Sequence, residues 1–129
     1  MTSRLTTVAP EIENSFLGVS EELTNSIALS IASWAVKCNG SVGDHMQNLA
    51  EFIDAKLAID VSNAFDERYF ECKDQNPSVA LKYFSCARAA SSMAFALSKN
   101  PKEAIYEAII ATDDLATIKN LVTKALSNG

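Results

Sequence analysis

Four glycines and three prolines are the only helix breakers in this 129-residue chain, and each stands where a helix would begin or end: Pro10, Gly18, Gly40, Gly43, Pro77, Pro101 and Gly129. Average chains carry roughly 12% Gly plus Pro, so this spacing leaves too few tight turns for hairpins or a sandwich. The pattern predicts an all-α protein. It takes the form of a compact bundle of five to six mostly antiparallel helices, one domain over residues 10–129, behind a flexible arm at 1–9. A chain of this length buries about two thirds of its unfolded surface, and 48% hydrophobic content supplies a core without metal or disulfide.

Start and stop signals divide the chain. Pro10 opens a short helix that Gly18 ends. Ser20 caps a second, with Glu21 and Glu22 in its first turn, where the positive end of the peptide dipoles favours them. Leu23, Ile27, Ile31, Trp34 and Cys38 form its inward stripe before Asn39-Gly40 stops it. Asp44 caps a third helix whose stripe of Met46, Leu49, Ile53, Leu57, Val61 and Ala64 also contains Asp60. An unpaired buried charge costs several kcal/mol, so either Asp60 has a partner or the helix breaks near Val61-Ser62-Asn63. The sequence favours the break, with helix resuming over Ala64 to Cys72.

Asn76-Pro77 and Asn100-Pro101 repeat one start signal, an amide cap before a proline that needs no N–H partner. Glu103 completes a capping box with Asn100. The helix from Pro77 to Ser98 carries Val79, Tyr83, Cys86, Ala90, Met93 and Leu97 as a seam. Arg88 lies on its other side among Leu81, Phe84 and Phe95, which predicts an internal ion pair with an acid such as Asp60. The last two helices span Pro101 to Ala111 and Asp114 to Leu126, with Thr112 or Asp113 capping the second. Inward positions are Ala104, Ile105, Ala108 and Ile109 on the first, then Leu115, Ile118, Leu121, Val122 and Ala125.

Charge is unevenly spread. Residues 1–75 hold twelve acidic and five basic side chains, against four and six in residues 76–129. The acidic segment 44–75 repels nucleic acid and attracts basic protein surfaces, although such a face also simply keeps a protein soluble. The odd cysteine count, with no CxxC pair, suits a reducing cytoplasm. The N-terminus lacks the apolar content of a signal peptide, and the most hydrophobic stretch, Ile27 to Val36, is about half a membrane span. No membrane association is expected.

Reactive constellations are few. His45 is the only histidine, which excludes HExxH and paired Glu-x-x-His di-iron motifs. A Cys3His set can be counted from Cys38, Cys72, Cys86 and His45, but structural zinc sites use closely paired ligands, and buried thiols are the ordinary explanation. No serine lies in a GxSxG turn and no glycine-rich phosphate loop exists. Glu21-Glu22 and Glu51-x-x-Asp54 could converge on Mg²⁺ through oxygen ligands. These acids resemble the Glu-Glu-x-x-Glu and Glu-x-x-Asp tracts of the all-α MazG-type nucleotide pyrophosphatases, with Asn25 where that family has its third acid. The resemblance implies a metal-dependent hydrolase as the alternative function.

Surface recognition is the leading expectation, with neither cofactor nor metal. Phe65, Tyr69 and Phe70 alternate with Asp66, Glu67 and Glu71, and the three rings cannot all face one core; aromatics ringed by charge are how interfaces concentrate binding energy. In the plainer packing, Phe65 and Tyr69 point inward and Phe70 touches a neighbouring loop. Asp54, Asp66, Glu67, Tyr69, Phe70, Glu71 and Asp74 are the candidate partner-binding residues. The expected partner is a basic protein surface, covered in the manner of an inhibitor, antagonist or immunity protein. A homodimer formed through the flank of Leu81, Phe84 and Phe95 is a third class.

Overall fold

A computed structural model describes residues 4–39 and 54–128, which form seven α-helices and no strand. They are α1 (Arg4–Val8), α2 (Pro10–Ser15), α3 (Glu21–Cys38), α4 (Ala55–Cys72), α5 (Pro77–Leu97), α6 (Pro101–Thr112) and α7 (Leu115–Asn128). Expectations for Gly40, Gly43, Asp44, His45, Met46, Leu49, Glu51 and Ile53 lie outside the described residues.

Local chemistry sets most of the boundaries. Pro10 starts α2, and Gly18 turns the chain after it with φ of 78°, a left-handed value that glycine adopts without a Cβ penalty. The Ser20 side chain accepts a hydrogen bond from Leu23 N, and the Asn76 side chain accepts one from Val79 N. Asp54 caps α4 by accepting from Lys56 N. Two helices end without glycine: Lys99 after α5 and Asp113 after α6 both take positive φ. Asn100 N then donates to Phe95 O, closing the last turn of α5 in a Schellman arrangement.

Two expected caps are corrected. Asn100 makes no side-chain cap bond, because Glu103, the other half of the anticipated box, is drawn to Arg4. The cap of α7 is Asp114 and not Thr112 or Asp113: its carboxylate accepts from Thr117 N at 3.1 Å and from Thr117 Oγ1 at 2.7 Å. Asp113 is occupied in terminating the preceding helix.

Helices α3, α5 and α6 meet in the centre, with α4 packed on α5, α1 on α6, and α2 and α7 against each other. Ala28, Ala32 and Ala35 of α3, Ala87, Ala89 and Ala90 of α5, and Ala104 and Ala108 of α6 are all fully buried. Side chains this small let the helix axes approach closely. Neighbouring helices run antiparallel. Ser62 Oγ donates to Ala87 O while Tyr69, further along α4, meets Phe84 nearer the start of α5. Likewise Ser92 Oγ donates to Ala104 O, while Glu107 pairs with the earlier Arg88.

The anticipated break in α4 does not occur. The helix runs uninterrupted through Val61, Ser62 and Asn63, and Asp60 stands in solvent beside Lys56 at 3.5 Å. Its phase is set afresh by the Asp54 cap, so the buried positions are Ala58, Val61, Ser62 and Phe65, leaving Asp60 and Ala64 outside. Cys38, expected on the inward stripe of α3, is exposed.

The anticipated loose arm is also structured where it is described. Leu5 and Ala9 are fully buried, Arg4 bonds Glu103, Lys102 reaches Glu13 at 2.8 Å, and Lys119 reaches Glu11 at 3.0 Å. Replacing Leu5 with Ala should therefore cost about 2–4 kcal/mol in urea unfolding. A loss below roughly 1 kcal/mol would mean that α1 is not part of the cooperative fold.

Candidate functional site

Arg88 is the only charged residue of α5 beyond Lys82, and its guanidinium joins three helices. Its Nη2 lies 3.3 and 3.1 Å from the two carboxylate oxygens of Asp66 on α4. Its Nη1 donates to Glu107 Oε1 on α6 at 3.3 Å. That same oxygen accepts from Ser91 Oγ and from Arg4 Nη2, each at 3.4 Å. Arg4 continues the chain to Glu103 and lies over the Tyr106 ring, 4.3 Å from its centroid. The internal ion pair expected of Arg88 thus exists, with Asp66 and Glu107 in place of Asp60.

Burial separates the roles of these acids. The Glu107 side chain is 3% exposed, so its charge requires the two arginines, whereas Asp66 at 33% keeps contact with water. Glu107 was not legible as a site residue from composition. The available signal was that it is the only ionisable carboxylate within Ala104–Thr112, a stretch otherwise apolar on its inner side.

The remaining candidate residues gather at the far end of α4. Phe65 is buried and stacks on Tyr83 with centroids 6.1 Å apart. Tyr69, half-buried, bridges from Phe84 at 5.7 Å to Phe70 at 5.3 Å. Phe70 itself is 63% exposed, and its one printed cation contact is Lys73 Nζ at 5.2 Å from the ring centroid. Glu67, Glu71 and Asp74 are exposed around it. Asp54 sits at the opposite end of the helix, engaged as its cap, and Asp66 is engaged by Arg88. The seven residues therefore do not form one patch.

On α5, Leu81 stands about two turns before Arg88 and so on nearly the same side of that helix. Phe70 lies about one turn beyond Asp66 on α4. Because Asp66 and Arg88 meet, Phe70 and Leu81 face the same side of the helix pair. Leu81 is also 63% exposed, while Phe84 and Phe95 are half-buried.

Among the described residues no group of three His, Cys, Asp or Glu side chains could hold a metal ion. Of the four acids in the hydrolase-like pattern, Glu21 and Glu22 are exposed at the start of α3, Asp54 caps α4, and Glu51 lies outside the described residues. A shallow depression of about 430 Å³ on α3, lined by Leu29, Ser30, Ser33, Trp34 and Lys37, contains neither carboxylate nor histidine. No helix among the described residues is long and apolar enough to cross a membrane. No family model, curated protein or solved structure matches the chain.

The burial pattern makes two measurable demands. Glu107→Gln should lower stability by roughly 2–4 kcal/mol, because it leaves arginine charge uncompensated in a water-poor site. Asp66→Asn should cost less than about 1 kcal/mol; equal losses in urea titrations would show that Glu107 is not the hub. Burial pushes the Cys86 thiol up to about 11, and desolvation with nearby Asp114 raises that of Cys38. In a thiol-reagent time course at pH 8, exposed Cys38 should label on the native protein and Cys86 only on unfolding.

Proposed function

We propose that this chain is a non-enzymatic binding module, an inhibitor- or immunity-type protein of the cytoplasm, which covers a basic surface of a partner protein with the C-terminal end of α4. The observation that carries this reading is the exposed Phe70 with Glu67, Glu71 and Asp74 around it. An aromatic anchor rimmed by like charges suits a partner of opposite charge: the ring provides desolvated contact and the rim accelerates encounter.

Those acids do not serve the helix that bears them. Negative charge near a helix C-terminus opposes the peptide dipoles, and Glu67 and Glu71 are spaced i, i+4, where like charges repel; each effect costs a few tenths of a kcal/mol or more. Their position is therefore explained by what they present outward better than by what they stabilise. The free state of all three thiols fits a reducing compartment.

A self-associating module is the second reading, favoured by the exposed Leu81 on α5. Sedimentation separates the two, since self-association raises the mass of the purified protein with no partner added.

The double variant Glu67→Lys/Glu71→Lys should abolish capture of the partner in pull-downs that succeed at low salt and fade as salt rises. Its melting temperature should stay the same or rise by a few degrees, because lysine near a helix C-terminus complements the dipole. Undiminished capture would remove this surface from the interaction.

A further inference from the structure

The outer side of α4 is organised along its whole length. Taking about 100° per residue, Ile59, Asn63 and Phe70 fall within about 40° of one another, and the stripe from Ile59 to Phe70 is about 16 Å long. Ile59 is 48% exposed and Phe70 63%, so both ends of the stripe are open apolar anchors. Asp60, Glu67 and Glu71 form a second row, rotated from the first by about 80° on the side away from Asp66. The other edge is different in kind. There Asp66 is already held by Arg88, and Leu81 of α5 is exposed on the same side of the pair. One edge of the stripe is thus acidic and the other neutral and apolar.

Helix α4 packs extensively against α5 alone among the described residues. Its opposite flank is therefore the straight, unpartnered side of a helix in a molecule otherwise built by setting helix against helix. A second copy meeting this face about a two-fold axis would bring the two acidic rows together, and like charges across an interface are unfavourable.

We infer that the α4 stripe docks one amphipathic helix of a partner protein, whose apolar face covers Ile59 and Phe70 and whose lysines or arginines run along a single edge beside Asp60, Glu67 and Glu71. This rests on the binding role proposed above and specifies the element that the partner contributes. Helix-on-helix packing lets apolar residues spaced i, i+4, i+7 and i+11 follow a three-turn stripe, while the basic edge sets the direction and register. Capture by charge alone would need neither.

The test uses synthetic peptides of about five helical turns and the intact protein, read by fluorescence anisotropy. One peptide carries leucines on one face and lysines along one edge; a second replaces those lysines with glutamates; a third keeps the lysines but has two central prolines that prevent a helix. The lysine peptide should bind at least about tenfold more tightly than either of the others in low salt. Phe70→Ala and Ile59→Ala should each weaken it about fivefold or more with helical content unchanged by circular dichroism. Glu67→Lys/Glu71→Lys should reverse the preference between the lysine and glutamate peptides.

Equal binding of the proline peptide, or indifference to Phe70→Ala, would overturn helix docking. If capture of the natural partner is still lost in Glu67→Lys/Glu71→Lys, that failure leaves the broader binding role standing. If capture also persists, both fail together.

Discussion

A buried carboxylate cannot remain ionised without compensation, and Glu107 is where this fold meets that constraint. Its side chain is nearly inaccessible, and Arg88 and Arg4 approach it from two different helices. Moving a charge of this kind out of water costs several kcal/mol unless partners are close and well placed. The consequence is geometric: α5 must turn Arg88 toward α6, and α1 must lie across α6 so that Arg4 can reach. Arg88 then has a second pair of donors left for Asp66, which fixes the rotation of α4 about its own axis.

That rotation determines what α4 shows to solvent. With Asp66 turned to Arg88 and Phe65 turned to Tyr83, the helix has no alternative but to direct Ile59, Phe70, Glu67 and Glu71 outward. The interior ion network and the outward stripe are two faces of one element. A surface held this way is rigid, and rigidity suits recognition because little side-chain and backbone freedom remains to be lost on binding. The alanine-rich contacts of α3, α5 and α6 act in the same sense. They bring the helices close enough for short polar links such as Ser92 to Ala104 O, at 2.6 Å, to form between neighbours.

Much of the architecture was legible in the chain because its causes are local. Pro10, Gly18, Ser20, Asn76-Pro77 and Pro101 act within a turn or two of their own positions, and the helices begin or end where those residues stand. Lys99 and Asp113 show where local signals fall short: both end helices in the left-handed region that glycine usually supplies. The phase of α4 was misjudged for a related reason. A stripe drawn from Met46 to Ala64 assumes one continuous helix, but Asp54 starts a new helix and shifts the inward sector toward Ser62 and Phe65. The site was half visible. An isolated arginine in an apolar helix announced an internal pair, but nothing in the spacing indicated which of the acids would meet it.

The sequence by itself determined that the chain is helical, where most helices start, and that acidic and aromatic residues alternate near residue 70, since each of these follows from neighbours along the backbone. Only the tertiary structure decided that Asp66 and Glu107 serve the interior, that Asp60 is solvated, and that Phe70 and Leu81 emerge on one side. Those outcomes depend on how helices far apart in sequence are rotated against each other, and that rotation is set by burial and charge pairing across 19 to 103 positions of the chain.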